Sequence, residues 1–191
     1  MPTPPLVVDF GDAQIAAKVA AMQPTPGLCV FVDIVGSTAM KQGSLQNWVA
    51  MIGNAFSLST ASIGRFKPLK GIGDELVYFI EDSDLTATGE SPLQIYDALF
   101  QIACSDSTRI PPTKIVAAHC SSVFAMTFVQ GANDYYGLDV DRAARLKSVQ
   151  PPLQEREVII DTAFYAQIQA CYHATDNKWE FPSFHKLRGP Y

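Results

Sequence analysis

The segment Leu28 to Val35, LCVFVDIV, constrains the fold more than any other stretch of the chain. It is rich in β-branched and aromatic residues, and Gly36-Ser37-Thr38 ends it, so it reads as a buried strand. Asp33 sits inside that run. A carboxylate on a strand of this kind is costly unless something compensates its charge. Either Asp33 caps the helix that follows, or it belongs to a site.

The rest of the chain supplies partners for that strand. Ser44 to Phe66 carries Trp48, Met51, Ile52, Phe56, Leu58 and Ile63 at helical spacing. LKGIGDELVYFIED has two strand patterns broken at Gly71, Gly73 and Asp74, which predicts a hairpin. SPLQIYDALFQIACSD predicts an amphipathic helix with Ser91 as N-cap and Pro92 in its first turn. TKIVAAHCSSVFAMTF reads as strands turning at Ser121-Ser122, GANDYY as a loop, DVDRAARLKSV as a helix, REVIID as a strand and TAFYAQIQACY as a helix. This order predicts an α+β domain with helices covering one face of a sheet. Residues 1–27 read as a lead-in, in which DAQIAAKVAAMQ is helical and PTPG ends it; the domain proper spans 28–191.

Composition excludes several classes. A chain of 191 residues suits one such domain and is short for two. A net charge of −5 argues against binding nucleic acid through a basic surface, though not against small phosphorylated ligands that arrive with metal ions. No stretch is apolar for the ~20 residues of a membrane span, and MPTPPLVVDFGD has no basic segment before its apolar run, so no signal peptide is expected. Cys29, Cys104, Cys120 and Cys171 show no paired spacing, which fits reduced thiols in a cytoplasmic protein.

Three stretches carry polar groups that local structure does not explain. After Asp33, the Gly36-Ser37-Thr38 turn into a helix should present free N–H groups, as anion sites do. In KGIGDEL, Asp74 and Glu75 stand at a hairpin tip between apolar flanks; a lone Gly-Asp turn is ordinary, but two approaching aspartates would suit Mg²⁺ or Mn²⁺. In DYYGLDVDRAARL, Asp141 and Arg145 lie one helical turn apart, as a surface ion pair would, yet small Ala143-Ala144 beside Arg145 would direct the guanidinium at a cleft. His119, His173 and His185 lie near no motif that needs them and read as structural.

Taken in order, FVDIVGST, KGIGDE, GLDVDRAARL and LRG resemble the catalytic domain of class III nucleotide cyclases, over Leu28 to Arg188. The resemblance implies a ferredoxin-like βαββαβ core with an antiparallel-rich sheet, working as a head-to-tail homodimer with sites between subunits. It implies that Asp33 and Asp74, with the Ile34 carbonyl, hold two Mg²⁺ or Mn²⁺ ions, and that Gly36, Ser37 and Thr38 offer N–H groups to a ribonucleoside triphosphate. Arg145 would contact the phosphate from the opposite subunit, Arg188 would stand at the family's phosphate-binding lysine, and Lys70 and Asp134 would read the base. The activity implied is formation of a 3′,5′-cyclic nucleotide with release of pyrophosphate.

The chain departs from that pattern. Asp141 replaces a ribose-binding asparagine and cannot donate a hydrogen bond. AAHCSSV replaces a glycine-rich strand, and Arg188 replaces a lysine. With GDELVYF and DVD, these departures resemble the pyrimidine cyclases of bacterial anti-phage defence, which make cyclic UMP or cyclic CMP for a separate effector. Asp134 as acceptor suits an exocyclic amine, hence adenine or cytosine, unless Tyr135 or Tyr136 fills that space. The alternatives are an adenylate or guanylate cyclase of class III and an inactive cyclase-like dimerisation or sensing module. GIGDEL also resembles the diguanylate cyclase hairpin, but those proteins lack DIVGST and RAARL.

Overall fold

Strict alternation along unbroken apolar strands puts a core on both faces of the central sheet. The computed structural model describes residues 5–105, 111–129, 132–148, 157–181 and 183. In chain order these form β1 (Leu6–Val7), α1 (Ile15–Ala20), β2 (Gly27–Ile34), α2 (Ser37–Gly43), α3 (Leu45–Ile63), β3 (Lys70–Ile72), β4 (Glu75–Glu81), α4 (Asp82–Thr88) and α5 (Pro92–Ala103). There follow β5 (Thr113–Cys120), β6 (Phe124–Val129), β7 (Ala132–Tyr136), α6 (Leu138–Arg145) with a 3₁₀ turn at Leu146–Ser148, β8 (Val158–Ile160), and α7 (Thr162–Ala174) with a second 3₁₀ turn at Lys178–Glu180.

The main sheet has the order β3-β4-β2-β5-β8. β2 is central and antiparallel to both β4 and β5, β3 and β4 form the expected hairpin, and β8 joins β5 in parallel. A two-residue tip at Gly73-Asp74 closes that hairpin, and Gly73 takes the left-handed φ of +64° that such a tip requires. Leu28, Val30 and Val32 pack with Leu76, Tyr78, Ile80, Ile115 and Ala117 beneath α3, α5 and α7. Cys29 and Phe31 point the other way, with Val77, Phe79, Val116, Ala118 and Cys120, and α6 closes that side through Ala143. Each large apolar side chain buried in either layer contributes roughly 1.5–3 kcal/mol. The helices therefore do not all lie on one face. α6, which carries Asp141 and Arg145, lies opposite α3, α5 and α7.

Local signals set the helix starts as expected. Ser91 and Gln94 form a reciprocal capping box on α5, with Ser91 Oγ accepting from the Gln94 N–H at 3.3 Å and Gln94 Oε1 from the Ser91 N–H at 2.8 Å. Two segments differ from the sequence expectation. GANDYY is largely strand β7, and the lead-in supplies β1, which pairs in parallel with β6 in a second, three-stranded sheet ordered β1-β6-β7. Strands of two to five residues with few apolar positions carry little periodicity to read.

Candidate active site

The sheet brings Asp33 and the hairpin tip together. Asp33 is the penultimate residue of β2 and lies directly opposite Glu75, the first residue of β4, with Asp74 next to it in the turn. Burial pushes the Asp33 carboxyl above the ordinary aspartate range. The charges of Asp74 and then Glu75 push it further, while Lys147 and a hydrogen bond from the Ile34 backbone oppose the rise. Asp33 and Asp74 are half-buried, and the Glu75 side chain is only 11 % exposed. Glu75 is turned toward Lys147, with which it forms an ion pair, and the Lys147 ammonium lies 5.0 Å from the centroid of the Phe31 ring.

Among the described residues, no group of three or more His, Cys, Asp or Glu side chains forms a metal cage by itself. The donors at this end of the sheet are carboxylate oxygens and, at buried Ile34, a backbone carbonyl. Such a set fits Mg²⁺ or Mn²⁺, which take one or two carboxylates and fill the remaining positions with water and phosphate oxygens. Asp33, Asp74 and Glu75 gather negative charge at this end of the sheet, which Lys147 opposes at Asp33 and a divalent cation would offset further.

The turn after β2 is shaped as the sequence implies. Gly36 adopts the left-handed conformation, φ +72°, and starts α2 without a side-chain cap. Ser37 is buried, and its hydroxyl accepts from Trp48 Nε1 at 2.8 Å, which ties α2 to α3. Its side chain is thus committed to packing. Gly36 and Thr38 on either side of it are exposed.

Lys70 on β3 and Asp134 on β7, 64 positions apart, meet as an ion pair, and Asp134 Oδ1 also accepts from the Tyr135 N–H at 2.8 Å. Tyr135 faces away from them. Its ring stacks on Phe79 with centroids 4.0 Å apart, and its hydroxyl donates to Glu81 at 2.8 Å. Burial, then Glu81, raises that hydroxyl above its ordinary range. Tyr136 instead meets Phe128 edge to face. Asp141 and Arg145 are both exposed on α6, and no ion pair joins them among the described residues. The i,i+4 surface pair is therefore not formed. Arg142 leans on Asp139 at 3.4 Å. Arg188 and His185 lie outside the described residues.

Two residues of this region escaped the sequence reading. Asp139 seats α6 by accepting from the Ser121 and Ser122 N–H groups, each at 3.0 Å, and these bonds, Ser122 first, hold its carboxyl below the ordinary range. At the neighbouring Gly137 an added Cβ would lie 2.4 Å from the Ser122 carbonyl oxygen, so the strand-to-helix junction admits no side chain. Ser121-Ser122, which departs from the glycine-rich family strand, thus serves as the dock for Asp139. The second is Lys147, for which the spacing held a signal. Val140, Ala143, Ala144 and Lys147 follow i, i+3, i+4, i+7, so this lysine extends the stripe that α6 lays on the sheet. His119 is structural as expected. Its ring holds Asp82 at 3.0 Å and its N–H donates to Asp161, the N-cap of α7.

No family model matches the chain, and no curated protein matches it. Solved structures do. An adenylate cyclase structure from Trypanosoma brucei is 16% identical, with 81% of this chain and 80% of that one covered and a TM-score of 0.62. The adenylyl cyclase CyaB from P. aeruginosa is 16% identical, with 78% and 83% covered and a TM-score of 0.61. The dimeric guanylyl cyclase domain of the RhoGC fusion protein from the aquatic fungus Blastocladiella emersonii is 15% identical, with 76% and 84% covered and a TM-score of 0.58. The fold is therefore the expected α+β one, with helices packed on an antiparallel-rich sheet as in these cyclase structures. Among the described residues, no helix is long and apolar enough to cross a membrane.

Proposed function

We propose that this chain is a nucleotide cyclase, converting a ribonucleoside triphosphate to a 3′,5′-cyclic nucleotide and pyrophosphate at sites shared by two copies. The observation that carries the reading is the pairing of Asp33 with the Asp74-Glu75 tip on a fold shared with cyclase domains. Asp33 and Asp74, with the Ile34 carbonyl, would hold two Mg²⁺ or Mn²⁺ ions. When bound, these would lower the pKa of the ribose 3′-hydroxyl and offset charge on the departing pyrophosphate. The 3′-oxygen forms its bond to the α-phosphorus as the α–β bridging bond breaks, and the hydroxyl proton leaves to solvent.

The chain's own groups would position and neutralise. N–H groups of Gly36, Ser37 and Thr38 would bind the triphosphate, and Arg188 would add a bidentate phosphate contact. Arg145 of the partner subunit would steady charge that develops on the α-phosphate. An exposed arginine on the face opposite the main helical layer supports delivery across an interface. Asp141 would accept from the ribose. The partner subunit would also bring the Lys70–Asp134 pair to the base, with one donor and one acceptor.

That pair supports a base with an exocyclic amine beside a ring acceptor. With the GDELVYF and DVD segments, we take the substrate as a pyrimidine nucleotide, CTP ahead of UTP, and the product as a messenger for a separate effector in anti-phage defence. Tyr135, committed to Phe79 and Glu81, supports leaving the amine position open. The test offers ATP, GTP, CTP and UTP separately with Mn²⁺ and identifies products by mass. Cyclic CMP or cyclic UMP is expected. Cyclic AMP or cyclic GMP alone would return the chain to the purine cyclases, and no cyclic product from a folded dimer would make it an inactive module.

A further inference from the structure

The acid pocket already contains a cation, and the chain supplies it. Lys147 follows the last turn of α6 on the stripe set by Val140 and Ala143, so its stem runs along the sheet and its head reaches the end of β2. The ammonium contacts Glu75 and lies over Phe31, the residue two before Asp33 on the same strand face. Its charge is felt at Asp33, where it opposes the push from burial and from the two neighbouring acids. A stabilising ion pair between Lys147 and Glu75 alone would not explain this placement. Glu75 is the register partner of Asp33, so the ammonium that pairs with one acid also bears on the other.

We propose that Lys147 is the resident counter-ion of the acid pocket and competes with divalent metal for it, so that free metal ions enter weakly. A metal–triphosphate complex enters better, because its phosphate oxygens give the displaced ammonium a new partner. Lys147 is then a positioning residue that couples metal loading to substrate binding. This inference rests on the cyclase reading only in that Asp33 and Asp74 hold the metal.

The test titrates Mn²⁺ alone into the full chain, following free Mn²⁺ by electron paramagnetic resonance, for wild type, Lys147→Met and Asp33→Asn. Lys147→Met is expected to tighten Mn²⁺ binding about tenfold, the scale of repulsion between a unit and a divalent charge several ångströms apart in a hydrated site. Asp33→Asn is expected to abolish the site. Unchanged or weaker binding in Lys147→Met, with Asp33→Asn still dead, would overturn the inference and leave the metal site intact. Wild-type binding by Asp33→Asn would overturn the metal site itself. Should Lys147→Met fail to fold, wild-type chain carrying ¹³C-dimethylated lysines is titrated with Mg²⁺. The resonance shifted by the Phe31 ring should move to the ordinary lysine position, and one that stays fixed at saturating Mg²⁺ would refute the displacement.

Discussion

Asp33→Asn should reverse the order of stability between two conditions. The substitution keeps the side-chain shape and an acceptor oxygen for the Ile34 backbone, and it removes a negative charge that burial and the neighbouring Asp74 and Glu75 disfavour. In chelator the variant is therefore expected to be at least as stable as wild type at pH 7. The sign with pH follows from the raised carboxyl. Its contribution to wild-type stability is fully present below the ordinary value of 3.8 and is lost as pH rises through the folded value, so the advantage of the variant grows from acid toward neutrality. Metal changes the order. At a hundred times its dissociation constant, Mn²⁺ should stabilise wild type by about 2.7 kcal/mol. For a domain of this size that is roughly 5–11 °C in Tm, taking about 2–4 °C per kcal/mol. The variant, lacking the site, should not move. Calorimetry of both chains in chelator and in Mn²⁺ measures this crossover. A variant more than about 2 kcal/mol less stable in chelator would make Asp33 a structural acid, since that is the scale of an orphaned buried partner. An equal Mn²⁺ upshift in both chains would place the metal elsewhere.

If sites are shared between copies, mixing chains carrying Asp33→Asn with chains carrying Arg145→Ala should restore activity that neither shows alone. Half the dimers are then mixed, and each has one intact site of two, so recovery should reach about a quarter of wild-type turnover, measured as cyclic product; no recovery would refute a shared site. Asp134→Asn should raise use of UTP relative to CTP, because an amide can donate where a carboxylate cannot, whereas Tyr135→Phe should lower Tm and leave the base preference unchanged. Competition assays with both triphosphates separate the two. Asp139→Asn should cost about 2 kcal/mol at neutral pH through its two bonds to backbone N–H groups. Because the Asp139 carboxyl is held below its ordinary range, that difference should be present above about pH 4 and fade as pH falls through the folded value, as denaturant midpoints would record.

The parts of the fold legible in the sequence were those where one period ran long enough to exclude the other. β2 read as a strand because its run of eight residues, Asp33 apart, was apolar on both alternating sets, and the structure shows why. The even-numbered set from Leu28 meets α3, α5 and α7, and the odd-numbered set from Cys29 meets the layer under α6. The same rule explains what was obscure. β1 and β7 are held by pairing to β6 more than by their own pattern, so the side chains of GANDYY gave no period to count. At the site, Asp33 and Asp74 were legible because each put a polar group where local structure gave it no reason, whereas Lys70 and Asp134 were legible only through the family resemblance. Lys147 escaped because a lysine two residues past a helix end reads as solvated, and its position on the apolar stripe outweighs its residue type only when the stripe is counted. A charged residue that continues a buried stripe is an unpaid desolvation until its partner is found, and here the partner is Glu75, opposite Asp33. The acids and the lysine are therefore one electrostatic unit. A change to any one of them should shift metal binding as well as stability, which would not hold if Lys147 and Glu75 were only a strut.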